Sequence, residues 1–97
     1  MTAIATDTRL LKAALAEEIR TVRRMIEEIA EVIVSDERFA MDHLEQLQAL
    51  DLAIQHADES ADLLARMSAG GCPHEAVGAV RLGAVQDRLR AALKKAA

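Results

Sequence analysis

The sequence predicts an all-α chain, a long antiparallel helical hairpin followed by a shorter third helix, folded as one helical-bundle domain over residues 1–97. Three observations carry that prediction. No Gly or Pro occurs from residue 7 to residue 67. Apolar residues recur there at helical spacings of 3 and 4. Helix-breaking chemistry is confined to Val34-Ser35-Asp36-Glu37 and Ser68-Ala69-Gly70-Gly71-Cys72-Pro73. The remainder is rich in Ala, Leu, Glu, Arg and Gln, all good helix formers, with no alternating strand pattern and no repeat of domain size.

The first helix is expected over about residues 8–34, capped by Thr6 or Asp7, either of which can accept an orphan N–H of the first turn. Leu15, Ile19, Val22, Ile26, Ile29 and Ile33 follow spacings of 4, 3, 4, 3 and 4, a heptad line for the core. Leu11, Met25 and Val32 widen it on one side. Glu17, Arg20, Arg24, Glu27, Glu28 and Glu31 form the opposite, solvated face, where Glu17–Arg20 and Arg24–Glu27 can pair.

The second helix is expected over about residues 36–69, with Ser35 as N-cap and Asp36 and Glu37 in the first turn. Leu47, Leu50, Ile54, Ala57, Ala61 and Leu64 make its core line. Met41, Leu52 and Leu63, each 11 residues apart, align on another face and are the expected dimer interface.

Gly70 is placed to end this helix in a left-handed conformation. Cys72 falls at the N-cap and Pro73 at the first position of a third helix, over about residues 73–95. Its main stripe is Leu82, Val85, Leu89, Ala92 or Leu93, and Ala96; Ala76, Val77, Val80, Ala84 and Ala91 give a second, small-residue face. Short connections make each helix antiparallel to its predecessor. Two-faced helices then favour a homodimer with a four-helix core.

Composition excludes several functions. Phe39 is the only aromatic residue, against the stacking platforms of single-strand nucleic-acid binders. A net charge of −4 argues against a phosphate-backbone binder. No apolar run approaches a membrane span, and Asp7, Arg9, Lys12 and Glu17 stand where a signal peptide needs an apolar stretch, so the expected location is the cytoplasm. One cysteine, Cys72, supports neither an internal disulfide nor a cysteine-based zinc site. His43, His56 and His74 are preceded three residues back by Ala40, Ala53 and Gly71, so the Glu-x-x-His motif of diiron bundles is missing. Neither a metal nor a cofactor is expected.

One polar pattern invites chemistry. Gln48, Asp51, Gln55, Asp58 and Asp62 follow spacings of 3, 4, 3 and 4 along one edge of the second helix. Asp51 and Gln55, one turn apart, project side by side; a carboxylate and a carboxamide so placed can hold a cation and orient a water. Asp51-Leu52-Ala53-Ile54-Gln55 resembles the Asp-Leu-x-x-Gln core of the CheZ-type chemotaxis phosphatases. The resemblance implies a dimeric four-helix bundle of long hairpins acting on a response-regulator receiver domain. Asp51 is then the acid that engages the receiver's active-site lysine, and Gln55 the amide that places the attacking water. Gln48, Asp58 and Asp62 are the expected partner contacts. The expected function is a small helical interaction or regulatory module, non-catalytic on its own, with an auxiliary receiver-domain phosphatase using Asp51 and Gln55 as the alternative.

Overall fold

An uninterrupted run of helix formers gives a single 32-residue helix, α1 (Ala3–Val34), about 48 Å long by the helical rise. The computed structural model describes residues 3–95; the expected stripe position Ala96 lies outside them. α1 starts earlier than expected, so Thr6 and Asp7 lie inside it and do not cap it. Ala3, Ile4 and Ala5 offer no competing turn, and the Thr8 hydroxyl donates to the Ile4 carbonyl at 2.8 Å within the helix.

The hairpin turn is set by two side chains. The Ser35 hydroxyl donates to the Val32 carbonyl at 2.6 Å and so serves the end of α1. Asp36, in extended backbone, is the N-cap of α2 (Glu37–Asp42), its carboxylate accepting the Phe39 N–H at 3.0 Å. The expected Ser35 cap is therefore corrected to Asp36.

The expected second helix is broken at His43, whose backbone leaves the helical region at φ −127°, ψ 34°. Its N–H bonds to the Ala40 carbonyl at 3.2 Å, one residue short of the α-helical partner. The ring supplies what the backbone gives up. Nδ1 lies 2.9 Å from the Phe39 carbonyl oxygen, and the ring stacks on Phe39 at 4.0 Å. Helix resumes as α3 (Leu44–Ser68).

α3 ends as expected. Gly70 has φ +98°, the Gly71 N–H bonds to the Arg66 carbonyl at 2.9 Å, and the Gly70 N–H to the Met67 carbonyl at 3.1 Å. This is the paired closure of a left-handed glycine terminus. Pro73 then opens α4 (Pro73–Gly78) with Cys72 at the N-cap.

The expected third helix is also broken, at residues 79–82, before α5 (Gly83–Lys95). Gly78 and Gly83 flank the break, and glycine weakens a helix interior by about 1 kcal/mol relative to alanine. The Val80 N–H closes a tight turn onto the Val77 carbonyl at 3.0 Å. The Gln86 amide then donates to the carbonyls of Val77, Gly78 and Val80 at 3.3, 3.1 and 3.1 Å. The chain thus has five helices among the described residues where three were expected, and α5 packs chiefly on α4.

α1 and α3 are the principal packing pair. They run antiparallel, since Arg20 meets Asp62, Arg23 meets Asp58, and the Ser68 hydroxyl reaches the Arg9 carbonyl at 3.2 Å. Ala16 and Ala61 are buried on this pair. Ala76, Val77, Val80 and Val85 form a second buried cluster at the α4–α5 corner. The two faces expected on one third helix are therefore divided between two helices and a turn. Ala84 and Ala91 of the expected small-residue face are exposed.

The expected α1 core line is corrected. Ile19, Ile26 and Ile33 are half-buried, level with Ala16 and Ala30, while Leu15, Val22 and Ile29 are exposed. α1 carries a wider apolar arc than one neighbouring helix covers. The expected α3 line agrees with the structure: Leu47, Leu50, Ile54, Ala57, Ala61 and Leu64 are all buried or half-buried.

The two kinds of glycine should respond in opposite ways. A Cβ at Gly70 meets only the flexible end of Arg9, so the strain lies in φ. Gly70→Ala should cost about 1 kcal/mol. Gly78→Ala, with nothing within 4 Å of its added methyl, should be neutral or slightly stabilising. Thermal denaturation should separate the two variants by several degrees, Gly70→Ala lying lower.

Candidate functional site

The polar edge of α3 divides into two parts. At its C-terminal end, Asp62 and Asp58 face α1. Arg20 Nη2 donates to Asp62 Oδ1 at 3.3 Å, and Arg20 Nη1 to Glu17 at 2.9 Å. Arg23 Nε lies 2.7 Å from Asp58 Oδ1, an ion pair without the angle of a directed hydrogen bond. Arg23 Nη1 donates to Glu27 Oε2 at 2.6 Å. Two acid–arginine–acid chains thus lie along one flank of the hairpin. Of the expected solvated face of α1, Glu17, Arg24, Glu28 and Glu31 are exposed as expected, while Arg20 and Glu27 are half-buried. The expected Arg24–Glu27 pair is replaced by Arg23–Glu27, and Arg24 donates to the Thr21 hydroxyl at 3.1 Å. Asp58 and Asp62 are therefore engaged within the chain.

The pKa of Arg20 is raised above its ordinary value, first by the hydrogen bond to Glu17 and then by that to Asp62. A raised folded value means that its stabilisation is complete below the unfolded pKa and is lost only as pH climbs through the folded one. The arginine side of these pairs is thus constant across the neutral range.

At the other end of the edge, Gln48, Asp51 and Gln55 are exposed. Gln55 Nε2 donates to Asp51 Oδ2 at 3.0 Å. The one-turn spacing brings the carboxylate and the carboxamide together as expected. In this arrangement the amide hydrogen is directed at the acid.

Gln55 and Asp58 also line a shallow depression of about 290 Å³ with Glu59, Arg81 and Leu82. Glu59 is the residue that sequence reasoning passed over. Its side chain is 7% exposed, and Oε1 accepts from Arg81 Nε at 3.0 Å, while Arg81 itself is 82% exposed. The signal was faint, a single acid on the Leu52–Leu63 face of the helix, opposite the expected core line, whose cation lies 22 residues away.

The remaining candidates are separated. Met41 and Leu52 are exposed and Leu63 half-buried. The break at His43 takes Met41 off the α3 line. Leu63 shares a face of α3 with Glu59 and Arg66, and Arg66 Nη2 donates to the Ala76 carbonyl at 2.8 Å, so this face is turned toward α4. The structure does not gather the three into one exposed stripe. His43 closes the end of α2, His74 is exposed, and Cys72 is exposed at the N-cap of α4. Among the described residues no cluster of three or more His, Cys, Asp or Glu could hold a metal, and no helix is long and apolar enough to cross a membrane.

The exposed apolar stripe lies instead on α1. Leu11, Leu15, Val22, Met25, Ile29 and Val32 are all exposed, Val32 at 72%. Their spacings of 4, 7, 3, 4 and 3 keep them on one line. The line runs along the flank opposite the arginine pairs, since Arg20, Arg23 and Glu27 lie on the other side of the α3-facing residues.

A double-mutant cycle should locate the Arg23 interaction. Arg23→Ala and Asp58→Ala should show a coupling of about 0.5–1 kcal/mol in chemical denaturation, falling in high salt. Arg23→Ala with Asp51→Ala should be additive. Comparison of the chain with protein-family models, with curated proteins and with solved structures returned no match, so its function must be read from its own geometry.

Proposed function

We propose that this chain is a helical protein–protein interaction module, non-catalytic on its own, whose contact surface is the apolar stripe of α1. The observation that carries this reading is the stripe itself. Six large apolar side chains lie in a heptad line on a helix that already has a packed partner on another face. Isolated apolar residues on a surface are ordinary, but six of them aligned on one helix mark a contact surface. The polar flank of Arg20, Arg23, Asp58 and Asp62 stabilises the hairpin from the far side and leaves the stripe free to dock. Met25→Glu should preserve helicity by circular dichroism and abolish the wild type's specific associations. A variant that kept every association would overturn the reading.

A second reading, an auxiliary phosphatase of a receiver domain, is supported by the exposed Asp51–Gln55 pair. In this scheme Asp51 takes the receiver's lysine, which releases the Gln55 amide to orient a water. The water attacks phosphorus, the phosphorus–oxygen bond to the receiver's aspartate breaks, and inorganic phosphate leaves with the aspartate restored. The receiver supplies the lysine and the magnesium. Gln55→Ala should abolish acceleration of receiver dephosphorylation while leaving docking intact, and Asp51→Ala should weaken both. Phosphate loss at equal rates with and without the wild-type chain would reject this scheme.

A further inference from the structure

We infer that the occupant of the α1 stripe is a second copy of this chain, with the two α1 helices antiparallel about a twofold axis near Val22. The inference rests on the proposal that the stripe is a contact surface, and it names the partner.

Surface area is the first argument. The chain exposes 6930 Å², about 1,500 Å² more than the surface of a globular monomer of its mass. Its radius of gyration is 16.6 Å, against about 12.5 Å for a compact chain of this length. If each copy buried that excess, the interface would total about 3,000 Å², inside the range of obligate homodimers.

The thin core is the second argument. The buried apolar residues are four alanines and three valines, and none of the larger side chains among the described residues is fully buried. A hairpin of half-buried isoleucines and leucines becomes the inner layer of a four-helix core when another hairpin covers it.

The stripe also selects the geometry. The α1 stripe lies on one flank of the hairpin, and the arginine pairs occupy the other. Association through a single self-complementary face closes as a pair and does not propagate. Glu18 sits where the heptad line skips from Leu15 to Val22. Parallel helices would set two Glu18 carboxylates side by side. Antiparallel helices centred between Leu11 and Val32 separate them by about 10 Å along the axis, roughly a Debye length at physiological salt. Leu11 of one copy then lies level with Val32 of the other, Leu15 with Ile29, and Val22 with Val22.

Light scattering on the full chain at tens of micromolar should give twice the 10.5 kDa of one chain. Met25→Glu should weaken the dimer at least about 100-fold, because it buries an unpaired charge. Cysteine pairing supplies a readout that does not depend on that variant. In a Cys72→Ser background, Val22→Cys should oxidise to a crosslinked dimer. Leu11→Cys should fail to crosslink with itself but should crosslink when mixed with Val32→Cys. A wild-type monomer would overturn the inference, and efficient self-crosslinking of Leu11→Cys would overturn the antiparallel geometry. A monomer whose capture of another protein is lost in Met25→Glu would reject self-association and leave the interaction reading standing. A monomer whose associations all survive Met25→Glu would reject both.

Discussion

Everything in this molecule hangs on the register between α1 and α3. Two features impose it together. Ala16 and Ala61 are small enough to bring the two backbones close, and both are essentially sealed from solvent. Beside them, Arg20 and Arg23 reach across to Asp62 and Asp58. Exposed ion pairs contribute little energy, typically 1 kcal/mol or less each, so their effect here is selective. Asp58 and Asp62 stand one turn apart, so a slip of one turn in either direction would keep one ion pair and leave the other half-buried guanidinium without its acid. With the register fixed, Glu59 and Arg66 stand where they hold the chain that follows, through Arg81 and the Ala76 carbonyl.

Much of the fold was legible from spacing and breakers. The absence of Gly and Pro before residue 68 determined α1 and most of α3, and Gly70 and Pro73 marked the turn from α3 into α4 correctly. The two missed breaks have different causes. The one at His43 involves no recognised breaker. It depends on an imidazole that replaces a backbone donor and on the ring beneath it, an arrangement of residues four apart that also suits an ordinary helix. The one after Gly78 was signalled by glycines five apart, whose cost is small enough that a continuous helix remained plausible until the Gln86 amide offered a better use for the free carbonyls.

The candidate site was only partly legible, for a reason tied to helical geometry. A line of polar residues on one helix reveals their alignment but not what lies opposite. Gln48, Asp51, Gln55, Asp58 and Asp62 do share an edge, yet the hairpin takes Asp58 and Asp62 into ion pairs and leaves Asp51 and Gln55 bonded to each other. The apolar residues of α1 pose the same problem in reverse. Leu15 and Ile19 are equally suited to a core, and only the position of α3 decides that Ile19 turns inward and Leu15 outward. Sequence periodicity gave the width of the arc. Which part of it was covered required the neighbour.

The Gln86 amide carries a consequence for the mechanics of the C-terminal end. It has two hydrogens and addresses three carbonyl oxygens, so at least one hydrogen is shared in bifurcated fashion. α5 extends from this clasp for 13 residues, about 20 Å, with its main packing against the six-residue α4. It is a lever on a narrow fulcrum. Its seat is this clasp together with the buried Val85 beside Ala76, Val77 and Val80. Sparse packing and a short anchor mark the low-stability end of a fold, and α5 has both.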